Sequence, residues 1–148
     1  MSCFINAKEI IIIFAVKNNW FMDKVSYWMD LAKYDMDTAE AMFATKRWLY
    51  VGFMCHQVVE KTLKAYWCKT MQCDPPYIHN LVRLINGSGL DAMMTEAQLA
   101  FVDVITPLNI EARYPEYKEA LLSALTSEKC NEIIEKTKSL KQWIEMML

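Results

Sequence analysis

Residues 46–71, KRWLYVGFMCHQVVEKTLKAYWCKTM, hold one glycine and no proline, and their periodicity decides the fold. The first half is apolar on nearly every side, with Trp48, Leu49, Val51, Phe53, Met54 and Cys55. That pattern suits a helix at the centre of a bundle or at a subunit contact. The second half carries a polar stripe: at ~100° per residue, His56, Gln57, Glu60, Lys61 and Lys64 share an arc of about 140°. Glu60 and Lys64 stand at i,i+4 in the favourable order. Phe53 and Trp67 bound the stripe, which a purely solvated face would rarely allow. Two readings follow: a surface stripe with an intrahelical salt bridge, or a partly buried site or protomer contact. Pro75 and Pro76 in QCDPPY (72–77) then stop the helix.

Upstream, Asp23 to Thr45 forms a second amphipathic segment, with Trp28, Leu31, Ala32, Ala39, Met42 and Phe43 on one side. Asp35 falls near the centre of that apolar side, where a carboxylate is costly unless it is paired. The expected neutraliser is Arg113, whose guanidinium can grip a carboxylate through two parallel hydrogen bonds, with Lys61, Lys64 and Arg47 competing. Before this helix, Ile10 to Val16 is an apolar run of seven residues, against the ~20 a membrane span needs. Lys8 precedes the run, but no small-residue cleavage pattern follows it. Asn18-Asn19 reads as a break. Residues 1–21 are accordingly expected to be an extension, Met22 an alternative start, and 22–148 the domain.

Downstream, a short helix is expected over Ile78 to Ile85, closed by NGSG (86–89). Thr95 should cap a helix from Glu96 to Ile105, with Gln98 in its first turn. Pro107 interrupts, EARYPEY (111–117) reads as irregular, and a short helix runs on to Leu125. Ser127 is the expected cap of a last helix whose inward face is Cys130, Ile133, Ile134, Leu140, Trp143 and Ile144. Together these predict an all-α protein, an up-and-down antiparallel four-helix bundle with additional short helices.

Composition agrees. The 148 residues make one domain, 54% hydrophobic, with only 3 Gly and 4 Pro for the turns an all-β fold would need. A net charge of −2 argues against non-specific nucleic-acid binding over the whole surface. The five cysteines are scattered without zinc-ligand spacing and read as free, buried thiols of a cytoplasmic protein. No HExxH, Ser/His/Asp order or phosphate-cradling glycine loop occurs, so neither metal nor cofactor is expected. His79, just past the double proline, is read as satisfying a cap or a loop carbonyl, or as part of a site.

Four stretches in order, YWMDLAKYDMDTAEAMF (27–43), VGFMCHQVVEKTLKAYW (51–67), PPYIHNLVRLI (75–85) and EARYPEY (111–117), resemble the HEPN domain. The letters stand for higher eukaryotes and prokaryotes nucleotide-binding. The resemblance covers roughly Met22 to the C-terminus. It implies an antiparallel helical bundle that forms homodimers and is often paired with a minimal nucleotidyltransferase, in some cases as a toxin–antitoxin system whose HEPN member is a ribonuclease. The residues matching its motifs are Asp35, His56, Gln57, Glu60, Lys61, Lys64, His79, Arg113 and Tyr114. One departure matters. Ribonuclease members place a histidine within a few residues after an arginine. Here Arg47 lies well before His56, and neither Arg83 nor Arg113 is followed by any histidine. The expectation is therefore a non-catalytic module that binds a nucleotide or a nucleotidyltransferase partner, with no RNA ligand and no membrane. A dimeric ribonuclease and a purely structural helical dimer are the alternatives.

Overall fold

The computed structural model describes residues 7–111 and 114–148. Its elements, in chain order, are α1 (Ala7–Ala44), α2 (Trp48–Met71), α3 (Leu81–Ser88), a 3-10 turn (Leu90–Met93), α4 (Glu96–Ile105), α5 (Leu108–Glu111), α6 (Pro115–Ala124) and α7 (Ser127–Glu145). No strand occurs among the described residues. The architecture is the expected antiparallel helical bundle.

Helix α2 lies at its centre and packs on every other α-helix. The physical reason is its apolar girth: Val51, Cys55, Val58, Leu63, Ala65 and Cys68 are all fully buried. On α1, Ala32 and Ala39 are equally buried and their small side chains let α2 approach closely. Helix α7 closes the third side with Cys130, Ile133, Ile134, Leu140 and Ile144. The α1–α2 hairpin turns in three residues. Lys46 takes φ 59°, and the amides of Lys46 and Arg47 donate to the carbonyls of Phe43 and Met42 at 3.0 and 2.8 Å. That is a Schellman C-cap, which satisfies the last carbonyls of α1.

Several boundaries differ from the sequence expectation. Helix α1 runs unbroken through Asn18-Asn19, because an asparagine pair costs only about 1 kcal/mol, half of it per residue, inside a helix that its neighbours favour. At 38 residues it is ~57 Å long, and every described side chain before Lys24 is exposed. Helix α3 starts at Leu81 rather than Ile78, because Asn80 caps it by accepting from the Arg83 amide at 2.9 Å. Thr95 and Gln98 form the full capping box on α4. The cap of α7 is Thr126, accepting from the Lys129 amide at 3.2 Å, not Ser127. Cys55, Cys68 and Cys130 are buried free thiols as expected, but Cys73 is exposed. Burial pushes the Cys55 thiol up to about 12 and Cys130 up to about 11, leaving both protonated and unreactive at neutral pH.

One contact locks α3 to α2. The edge of the Trp67 ring abuts Gly87, so a Cβ added there would sit 2.5 and 2.8 Å from ring carbons Cζ3 and Cη2. The indole N–H of Trp67 donates to Cys73 Sγ at 3.4 Å, pinning the ring from the other end.

Candidate functional site

The polar stripe on α2 is not a solvated face. His56, Glu60 and Lys64 are buried, Glu60 completely. A bare carboxylate there would be untenable, so its partners define the site. Lys64 Nζ donates to Glu60 Oε1 at 2.7 Å. His79 Nδ1 lies 3.0 Å from Oε2 and 3.2 Å from Oε1. An ionised carboxylate only accepts, so Nδ1 carries the hydrogen in that contact. Lys61 Nζ stands 3.7 Å from Oε1, and His56 Nδ1 3.9 Å from Oε2. Burial pushes the Glu60 carboxyl up, but the hydrogen bonds from Lys64 and His79, with the nearby lysine charges, win and hold it below the ordinary carboxylate value.

A second chain of hydrogen bonds continues from Lys61. Its ammonium donates to Gln57 Oε1 at 3.0 Å, and Gln57 Nε2 donates to the buried Asn109 on α5 at 3.1 Å. The stripe thus ties α2 to the loop before α3 on one side and to α5 on the other. His56, Gln57, Glu60, Lys61, Lys64 and His79 are brought together as one cluster.

The remaining candidates stand apart. Asp35 is half-buried, and no ion pair or hydrogen bond joins it to another described residue. Burial is the main reason its carboxyl is raised; the Lys61 charge offsets part of this and the Glu60 charge adds to it. Arg113, its expected partner, lies outside the described residues. Tyr114 is exposed at the start of α6. The sign for Asp35 is clear: a folded pKa above the unfolded 3.8 means that ionisation costs stability as pH rises through that interval. Asp35→Asn is therefore expected to hold or raise the melting temperature at pH 7, measured by thermal denaturation, with the gain vanishing below about pH 4.

Beside the cluster opens a cleft of about 290 Å³ lined by Lys24, Tyr27, Trp28, Lys64, Asp74, Pro75, Pro76 and Tyr77. Lys64 belongs to both: its ammonium sits 5.1 Å from the centre of the Trp28 ring while bonded to Glu60. Lys24 forms an ion pair with Asp74, tethering the loop after α2 to α1. Of the described candidates named from sequence, only Lys64 lines this cleft. Tyr27 and Trp28 carried a signal, two adjacent aromatics of which Tyr27 turns outward, but they read as ordinary helix content. Pro75-Pro76-Tyr77 read as a helix stop and as the start of a family-like stretch, not as part of a cleft. Among the described residues no group of His, Cys, Asp and Glu is arranged to hold a metal ion, and no helix is long and apolar enough to cross a membrane.

The fold is similar to the crystal structure of TT1696 from Thermus thermophilus, with a TM-score of 0.72 at 17% identity, over 84% of this chain and 98% of that one. No match was found among curated proteins. The family model of the HEPN domain matches residues 25–147, from the first described buried residue of α1 nearly to the C-terminus. The chain belongs to the HEPN domain family.

Proposed function

We propose that this chain is a non-catalytic HEPN module that binds a nucleotide in the cleft between α1 and the loop after α2. The observation that carries the reading is the convergence of Tyr27, Trp28 and Tyr77 with Lys24 and Lys64 around one opening. Aromatic faces take a base by stacking, worth about 1–3 kcal/mol per base. Lys24 supplies positive charge for phosphate: its partner Asp74 is an exposed carboxylate, so that pair can open at little cost, while Lys64, held by Glu60, fixes the cleft wall. A volume of about 290 Å³ lies near the lower end of small-molecule sites, roughly 300 Å³. It suits one base, with phosphates toward the rim. In this reading Glu60 and His79 are positioning residues that hold Lys64 and the loop.

The module is further proposed to act as a cytoplasmic homodimer beside a minimal nucleotidyltransferase partner, as one half of a toxin–antitoxin-like pair. Its domain is residues 22–148, with 1–21 an extension. These proposals rest on family membership. The ribonuclease alternative finds less support, because His56 is fully buried and the ribonuclease spacing is missing. The structural alternative has a specific observation in its favour: Glu60 and Lys64 are buried and bonded to each other.

Calorimetry with ATP and GTP separates the two. Tyr77 is fully exposed, so Tyr77→Ala should leave the fold intact while weakening binding by about 1 kcal/mol or more. Silence at millimolar nucleotide, or equal binding by both proteins, rejects the cleft and leaves the structural reading.

A further inference from the structure

Both lysines that line the cleft already face a carboxylate. Lys64 is bonded to Glu60, which is completely buried, and Lys24 is paired with Asp74. What holds the two pairs differs. Withdrawing Lys64 would strand a charge inside the bundle, and that penalty keeps its pair closed. The Asp74 side chain is 59% exposed, so water solvates it once Lys24 leaves. Of the two lysines, only Lys24 can exchange partners.

The surroundings favour that exchange. Lys24, Tyr27 and Trp28 stand at i, i+3 and i+4, so the ammonium and two aromatic rings share one side of α1. The Lys24 ammonium also lies 3.8 Å from the centre of the Trp20 ring, a contact that is kept whichever anion it meets. Asp74 belongs to a segment anchored on both sides. Cys73 Sγ accepts from the Trp67 indole N–H at 3.4 Å, and His79 Nδ1 lies 3.0 Å from Glu60 Oε2. Pro75 also steers the Asp74 backbone toward extended forms. Opening the Lys24–Asp74 pair therefore moves a side chain and leaves the cleft wall in place.

We propose, on the nucleotide reading of the cleft, that Asp74 is a built-in competitor of the ligand. Its carboxylate occupies Lys24 as a phosphate would, and a nucleotide binds by displacing it. While the pair is closed the cleft offers no free cation, so the Kd of a phosphate-bearing ligand rises in proportion as the open fraction falls. For an exposed ion pair the effect is about 5-fold. A nucleoside has no phosphate to bring to Lys24 and escapes it.

Calorimetry on the full chain tests this with ATP and adenosine, in EDTA so that no divalent cation bridges Asp74 to the phosphates. Asp74→Asn keeps the side chain's size and should bind ATP about 5-fold more tightly than the native chain, with no matching gain for adenosine. In a Lys24→Met background the same change should bring no gain, which separates competition for the ammonium from through-space repulsion of the phosphates. The variants should melt close to the native chain, because both side chains are partly exposed. Equal ATP binding by the native chain and Asp74→Asn, an equal gain for adenosine, or an undiminished gain without Lys24 would overturn the proposal and leave the cleft standing. Silence of the native chain toward ATP would instead remove the cleft reading, and the competitor with it.

Discussion

Lys64→Met is expected to lower the unfolding free energy by about 3–5 kcal/mol, the usual penalty for stranding one member of a buried ion pair. Glu60 is completely buried and Lys64 donates its shortest hydrogen bond, at 2.7 Å. Methionine fills similar space, so the loss reports the missing charge rather than a cavity. Urea denaturation at pH 7 measures it directly. The pH dependence should change too. In the native protein the folded Glu60 carboxyl lies below its ordinary 4.5. Its contribution is thus present above that value and lost as pH falls through the folded pKa. Once Lys64 is gone, burial dominates at Glu60, and acid should then cost the variant less stability than it costs the native chain.

Gly87→Ala should destabilise by about 1–3 kcal/mol, although the same change in an open helix would stabilise by up to ~1 kcal/mol. The sign is set by Trp67. A Cβ at Gly87 would meet two ring carbons at 2.5 and 2.8 Å, and the ring cannot simply swing away because its N–H is bonded to Cys73. Either α3 shifts outward or the ring leaves that bond. A urea midpoint equal to or above that of the native chain would show that the Trp67–Gly87 contact is not close-packed.

The helical class was legible because its signals are local. The unbroken run over residues 46–71, the proline pair after it and the Thr95/Gln98 box each act within a few residues. Where two neighbours could serve equally, as with Thr126 and Ser127, propensity could not choose between them. The site was legible only in part. Angular arithmetic placed His56, Glu60 and Lys64 on one face, but it could not say what covers that face. The cover includes His79, which returns to Glu60 from 19 residues away on a loop shaped by Pro75 and Pro76. That closure is tertiary and leaves no periodic trace. The cleft was missed for a related reason. Tyr27 and Trp28 belong to α1 by their spacing, and only the fold sets Tyr77 and Lys64 opposite them.

A double-mutant cycle on the buried pair bears most directly on all of this. Lys64→Met, Glu60→Leu and the combined variant are unfolded in urea at pH 7. If Glu60 and Lys64 neutralise each other inside the bundle, the double variant recovers much of what each single one loses, with a coupling of about 2 kcal/mol or more. Additive losses, with a coupling below ~0.5 kcal/mol, would mean that the two charges are separately solvated and that the cluster does not hold the site together.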